Sequence, residues 1–284
     1  MGQHLKNPGK LYVVATPIGN LQDMSPRAIE VLSSVSLIAA EDTRHSKKLL
    51  AHFGVGTHMS ALHDHNEKSM AAPLVRRLEQ GEDVALISDA GTPLISDPGY
   101  VVVRMARAAG IEVLSVPGPS ALTAALSVAG LPTDRFRFEG FLPAKQAARR
   151  QRLASLAPET VTLVFYESSH RIVDTLDDMA ECLGPGREVV VARELTKVFE
   201  TVRTGTAGML SQQLAEDLDQ QKGEFVVMVA GDTPEDTALD AQTRQTLAVL
   251  VEELPLKQAA VLAARITGVA KNRLYDYGLE IKGE

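Results

Sequence analysis

Three turns rich in glycine and proline each follow a short apolar run within the first 120 residues: Ala15-Thr16-Pro17-Ile18-Gly19-Asn20, Ser88-Asp89-Ala90-Gly91-Thr92-Pro93 and Val116-Pro117-Gly118-Pro119-Ser120. The runs before them, Leu11–Ala15, Val84–Ile87 and Val113–Val116, have the length and composition of buried strands. If these strands lie parallel in one sheet, all three turns open at the same edge, where open α/β sheets bind ligands. The pattern therefore predicts an enzyme built around a small-molecule crevice.

Further strands are expected at Leu37–Ala40 and His58–Leu62, alternating with helices at Pro26–Ser34, Thr43–Phe53, Glu67–Gln80, Tyr100–Ala109 and Ser120–Ala129. After Leu131-Pro132-Thr133-Asp134 a second α/β set begins. Its strands are Phe136–Glu139, Val161–Tyr166, Val189–Arg193, Glu200–Thr204 and Phe225–Ala230, with helices at Ala144–Leu156, Arg171–Leu183 and Ala207–Leu218. The short gap between Val189–Arg193 and Glu200–Thr204 predicts a hairpin, and hence a mixed sheet. By pattern the chain divides into α/β domains over residues 1–131 and 132–231, a linker and helix over 232–255, and a tail over 256–284. The acidic, turn-rich stretch from Gly231 to Thr237 marks the linker. In the tail, Gly268 within Leu256–Leu279 has the placement of a helix-turn-helix bend; a plain helical hairpin is the alternative.

A length of 284 residues supports about two cores, and 45% hydrophobic with 23% charged residues is ordinary for a folded protein. The net charge of −7 means that any polyanion contact depends on local clusters. One such cluster lies in Ala144–Leu156, where Lys145, Arg149 and Arg152 recur at helical spacing with Arg150 beside them and no acidic residue intervening. Lys257, Arg265, Lys271 and Arg273 give the tail a second basic set. The lone Cys182 is read as inert core, and His63-Asp64-His65 as a solvated loop with no metal role. No signal-peptide pattern or spanning apolar run occurs, so a cytoplasmic location and no membrane partner are expected. Dinucleotide-fold, P-loop and hydrolase-elbow motifs are absent too, which removes the easiest dehydrogenase, NTPase and hydrolase readings.

Polar clusters stand at other strand ends: Glu41-Asp42-Thr43-Arg44-His45, Tyr166-Glu167-Ser168-Ser169-His170-Arg171 and Arg193-Glu194-Leu195-Thr196-Lys197. Asp42 also suits a helix N-cap. Facing the Gly/Pro turns of the first domain, these clusters describe an interdomain cleft.

At these segments, together with Leu94-Ile95-Ser96-Asp97-Pro98-Gly99 and Ala121, the chain resembles the tetrapyrrole methylase superfamily. Within it, the resemblance is to the branch that methylates ribose 2′-hydroxyls of bacterial small-subunit ribosomal RNA. The tail from Lys257 to Tyr275 resembles that branch as well. The resemblance implies two α/β domains with an S-adenosylmethionine cleft between them, a helix-turn-helix-like tail, and no metal. Carried over by position, the cofactor pocket includes Pro17, Gly91, Thr92, Ile95, Ser120, Ala121, Tyr166 and Leu195. Tetrapyrrole enzymes usually carry Gly-Asp-Pro where this chain has Gly91-Thr92-Pro93, so either Asp89 or Thr92 takes the acidic residue's place, and the departure speaks against a tetrapyrrole substrate.

The implied reaction needs a general base for a ribose hydroxyl, one of Glu41, Asp42 or Glu167, with Arg44, His170 and Arg193 positioning phosphate or ribose. Lys145, Arg149, Arg150, Arg152, Lys271 and Arg273 would contact RNA. The implied partner is the small ribosomal subunit or its 16S rRNA, with a cytidine of the decoding region as target, and the implied assembly is a homodimer. A small-molecule methyltransferase and a ligand-sensing nucleic-acid-binding protein are the alternatives.

Overall fold

In a computed structural model, residues 7–232, 239 and 241–282 are described, so the first six residues and residues 233–237 of the acidic stretch lie outside them. The chain divides into one unit up to Asp232 and another from Thr233.

The first sheet is formed by β1 (Leu11–Val14), β2 (Leu37–Ala40), β3 (Met59–Ala61), β4 (Val84–Ile87) and β5 (Val113–Val116). All its pairings are parallel, in the order β3-β2-β4-β1-β5. Every residue of β2 and β4 is buried, because helices cover both faces. Helices α1 (Pro26–Ser34) and α2 (Thr43–His52) pack on one face, while α3 (Glu67–Glu79) and α4 (Tyr100–Ala108) pack on the other. Ser25 caps α1 through its hydroxyl, with Pro26 in the first turn. From the adjacent β1 and β4 the chain departs in opposite directions, towards β2 and β5. That divergence opens a crevice at their C-terminal ends.

The second sheet contains β6 (Phe136–Phe141), β7 (Thr162–Ser168), β8 (Glu188–Arg193), β9 (Thr201–Thr206) and β10 (Glu224–Val229), ordered β6-β7-β10-β8-β9. Only β6 and β7 run parallel; β8 and β9 form the expected hairpin pair. Along β10 the two faces alternate. Phe225, Val227 and Val229 join the core beneath α6 (Gln146–Leu156), α7 (Ile172–Leu183) and α8 (Ala207–Glu216), whereas Val226 and Met228 face the other way. Half-buried Cys182 packs on the first of these cores.

Helix α5 (Ala121–Ala129) joins the halves. It follows the last strand of the first sheet, yet its Leu122, Ala125, Leu126 and Ala129 are buried against Val164, Val190, Val226 and Met228 of the second. The two α/β halves read from the sequence therefore share one core rather than meeting across a solvated seam.

In the C-terminal unit, α9 (Ala241–Glu253), α10 (Leu256–Thr267) and α11 (Lys271–Lys282) surround a small cluster that includes Leu247, Ala259, Ala263 and Leu274. The bend between α10 and α11 is closed by Gly268 in the left-handed region, as the spacing predicts. Among the described residues, no helix is long and apolar enough to cross a membrane.

Because Leu126 sits at the seam between the sheets, Leu126→Ala should destabilise the body by about 2–5 kcal/mol in urea unfolding. A loss below about 1 kcal/mol would show that the seam is not a true core.

Candidate active site

Hydrogen bonds lace the three Gly/Pro turns together. Thr16 and Gly91 exchange both of their backbone hydrogen bonds, at 2.9 and 3.0 Å, which ties the first turn to the second. The Thr92 hydroxyl then donates to the Pro119 carbonyl at 3.0 Å, tying the second turn to the third. Gly91 adopts φ +82°, and a Cβ there would stand 3.2 Å from Ile18 and 3.6 Å from the Pro119 oxygen. Its conformation favours glycine, and a side chain there would also press on Ile18.

Facing these turns across a cavity of about 490 Å³ are the ends of β7, β8 and β10. Its wall includes Ile18, Glu41, Asp97, Tyr166 and Leu195. Four non-glycine residues adopt positive φ among the described residues: Leu94, Ser96, Glu194 and Thr196. All four belong to the two loops that border this cavity, one from each half. Strained backbone concentrated in this way marks a functional rim.

Of the cofactor positions carried over by resemblance, Asp89, Gly91, Thr92, Ile95, Ser120, Ala121, Tyr166 and Leu195 all line the cavity. Pro17 is buried beside it, and Ile18 is the residue of the first turn that reaches the wall. Tyr166 packs its ring on Phe138 with centroids 4.8 Å apart, and burial pushes its hydroxyl pKa up.

The acidic candidates differ sharply in what holds them. Asp42 is the N-cap of α2: its carboxylate accepts from the Arg44 backbone at 2.8 Å and pairs with the Arg44 guanidinium, which holds its pKa below the usual value. Glu167 is buried, and its oxygens accept from the Ser168 backbone, the Thr175 hydroxyl and Arg171. Both carboxylates are held in place by these donors. Glu41 is half-buried on the cavity wall, where, among the described residues, its carboxylate accepts only a long bond, 3.4 Å, from the Asp89 backbone. Burial raises its pKa, and Asp89, Asp64 and Asp42 add to the rise. Asp89 is positioned in turn by the Asp42 backbone N–H, which donates to it at 2.9 Å.

Sequence reasoning missed Asp97 as a site residue. Its carboxyl lines the cavity, and burial, reinforced by Glu41 and Asp89, lifts its pKa to about 6 against a bond to Ser88. The available signal was a carboxylate followed directly by Pro98-Gly99 on the same turn as Asp89.

Other assignments require correction. Arg193 is buried, absent from the cavity wall, and donates to the carbonyls of Lys222, Phe199 and Asp219, tying two loops together. His170 is exposed and absent from the cavity wall. The basic face of α6 is largely neutralised by internal pairing. Arg149, 3% exposed, binds Asp178 at 2.6 Å; Arg150 binds Asp178 and Glu181; and Arg152 binds Glu139. Lys145, Lys271 and Arg44 are exposed, Arg44 at 91% of its side chain while paired with Asp42, and Arg273 is half-buried.

Residues 10–211 match the family of tetrapyrrole (corrin/porphyrin) methylases, and residues 237–282 match the RsmI C-terminal HTH domain. The chain belongs to the tetrapyrrole methylase family. Its relatives within the family include ribosomal RNA small subunit methyltransferase I of Xylella fastidiosa, 58% identical over 95% of this chain and 99% of that protein. The Escherichia coli O157:H7 protein of the same name is 54% identical over 97% of this chain and 96% of its own length. The Pseudomonas aeruginosa one is 56% identical over 97% and 99%. Among solved structures, diphthine synthase aligns with TM-score 0.59 at 16% identity, covering 78% of this chain and 90% of that one. Uroporphyrin-III C-methyl transferase from Thermus thermophilus, complexed with S-adenyl homocysteine, aligns with TM-score 0.53 at 18% identity, covering 78% and 97%. At these identities the likeness is one of fold alone, over 78% of this chain.

Asp97 gives this methylase a pH signature. Its folded pKa lies above the ordinary aspartate value of about 3.9, so its stabilising contribution is full below that value and is lost as pH rises through about 6. Asp97→Asn should therefore stabilise the body at pH 8 by about 1–2 kcal/mol, discounted for partial solvation, and change little at pH 4. Urea midpoints at the two pH values check this; an equal shift at both rules it out.

Proposed function

We propose that the chain transfers a methyl group from S-adenosylmethionine to a ribose 2′-hydroxyl of small-subunit 16S ribosomal RNA, at a cytidine of the decoding region. The observation that carries this reading is likeness over nearly the whole length, 54–58% over at least 95% of the chain, to proteins that share one name. That likeness covers both the methylase body and the C-terminal unit.

The residues present suit such a donor. The cavity volume is within the usual range for small-molecule sites. Ile18, Ile95, Ala121 and Leu195 offer apolar wall for an adenosine, and Asp89 and Asp97 offer negative charge towards the donor's cationic groups. When bound, S-adenosylmethionine supplies a methyl group carried on a positively charged sulfur.

This chain's own residues then have two tasks. A ribose hydroxyl is a weak nucleophile until its proton is taken, and Glu41 is the candidate base whose carboxylate is underbonded and raised in pKa. Asp42 and Arg44 hold the segment that carries it, since the Asp42 backbone fixes Asp89 and the Asp42 side chain caps α2. The laced turns supply the second task, fixed placement of donor and acceptor, without further rearrangement. Phosphate contacts fall to the exposed Arg44 and Lys145 of the body and to Lys271 and Arg273 of the C-terminal unit, so binding should weaken steeply with salt. A homodimer is part of the same reading, checked by light scattering of the purified chain, where a mass of one chain would remove it.

The decisive measurement incubates labelled donor with small subunits lacking the modification and maps the labelled nucleotide. Methyl transfer to a ribose is expected; transfer only to a small molecule, or to no substrate, overturns the reading. Glu41→Gln should lower kcat about 100- to 10,000-fold while leaving affinity for S-adenosylhomocysteine within about threefold. Equal losses in both would move Glu41 from base to binding residue.

A further inference from the structure

Phe141, at the end of β6, lines the cavity yet remains 56% exposed. Its direction is set by a fault in the strand. The parallel pairing of β6 with β7 slips register between Phe138 and Gly140, and Gly140 adopts φ +66°. In an unbroken strand, residues three apart point to opposite faces. The inserted residue reverses that parity, so both Phe138 and Phe141 reach the ring of Tyr166, at centroid distances of 4.8 and 5.7 Å. Glycine is required at the bulge by its φ, and a Cβ there would stand only 3.2 Å from the Ser96 hydroxyl. The bulge is thus set against the loop that carries Asp97.

The result is a ladder of three rings. Phe138 and Tyr166 are half-buried, Tyr166 is engaged with Ser120 and the Leu122 backbone, and Phe141 is the outermost ring. An aromatic face left in water at a cavity mouth adds little to folding, because the hydrophobic gain comes from burial.

The charge of the cavity narrows what can lie on that ring. Glu41, Asp89 and Asp97 make the inner wall acidic, which opposes phosphate and admits an uncharged ribose or base. A ribose stacked within a helix cannot place its 2′-hydroxyl at the foot of such a cleft, so the nucleotide has to leave the stack, and its base then needs another π face. Ser96, Ser168 and Ser169 line the same cavity and offer hydroxyls to a base edge.

We propose that Phe141, held outward by the Gly140 bulge and seated on Tyr166, is the platform on which the unstacked base of the target nucleotide lies while its ribose enters the cavity. This rests on the RNA-methylating reading above. Phe141 is a substrate-binding residue in this scheme and takes no part in proton transfer.

The test measures methylation of unmodified small subunits by the full-length chain and by Phe141→Ala, Phe141→Leu and Phe141→Tyr variants, with S-adenosylhomocysteine binding followed by calorimetry. Ala and Leu should raise KM for the subunit about 10- to 100-fold, Tyr should stay within about threefold of the parent, and S-adenosylhomocysteine affinity should stay within about twofold throughout. A Leu variant equal to the parent would reduce the ring to an apolar wall and overturn the proposal. A matching fall in S-adenosylhomocysteine affinity would assign the ring to the donor's adenine and overturn it equally. Failure of the underlying reading shows up differently: the parent chain itself would then methylate no RNA.

Discussion

The burial of α5 against the second sheet is the contact on which the rest of the molecule depends. In chain order the helix completes the first half, but Leu122, Ala125 and Leu126 find their apolar neighbours on β7, β8 and β10. The sheets are thereby held with their loop-bearing ends towards each other, and the cavity exists because neither half can rotate away without exposing that shared core. The left-handed backbone at Leu94, Ser96, Glu194 and Thr196 is tolerable for the same reason. Such conformations persist where surrounding packing over-determines them.

Identical residue types do different work here according to their partners. Glu41 directly follows β2, Glu167 lies near the end of β7, and both line the cavity, yet Glu167 is satisfied by a backbone N–H, a hydroxyl and a guanidinium, while Glu41 has, among the described residues, a single long bond. The first is a structural bracket and the second is chemically available. The arginines divide in the same way. Arg149 and Arg193 spend their donors inside the protein, on a buried carboxylate and on three carbonyls, whereas Arg44 stays at the surface, its guanidinium paired with the part-exposed Asp42. A planar guanidinium with five donors is well suited to internal crosslinking, which is why arginine density alone is a poor sign of a polyanion site.

This explains what could be read from the sequence and what could not. The three Gly/Pro turns, the parallel first sheet, the β8–β9 hairpin and the glycine bend of the tail all follow from local signals that the fold preserves. The fate of α6 does not. Its partners Asp178 and Glu181 lie about 30 positions away on α7, and only the packing of the two helices reveals that the charges cancel. Phe141 lies beyond the strand expected at Phe136–Glu139, and alternation continued from Phe138 would give it the opposite face, because the register slips between Phe138 and Gly140. Asp97 was visible as part of a motif, but its proton affinity depends on the burial and neighbouring carboxylates that only the folded turns bring together.

A cleft lined with carboxylates in a chain of net charge −7 is an unlikely-looking place for nucleic acid to be handled, and the conflict resolves once the substrate is divided into its parts. Phosphates carry the charge of RNA, while the reacting hydroxyl and its base carry none. In the proposed reading, attraction for phosphate comes from cations outside the cavity, such as Arg44, Lys145 and Lys271, and the acidic interior would act as a filter that admits only what has been turned away from the backbone. In that reading the same carboxylates favour the cationic methyl donor and provide the proton acceptor. One arrangement of negative charge would thus serve donor binding, base catalysis and exclusion of the wrong end of the nucleotide, which accounts for an acidic cavity in an enzyme proposed to act on RNA.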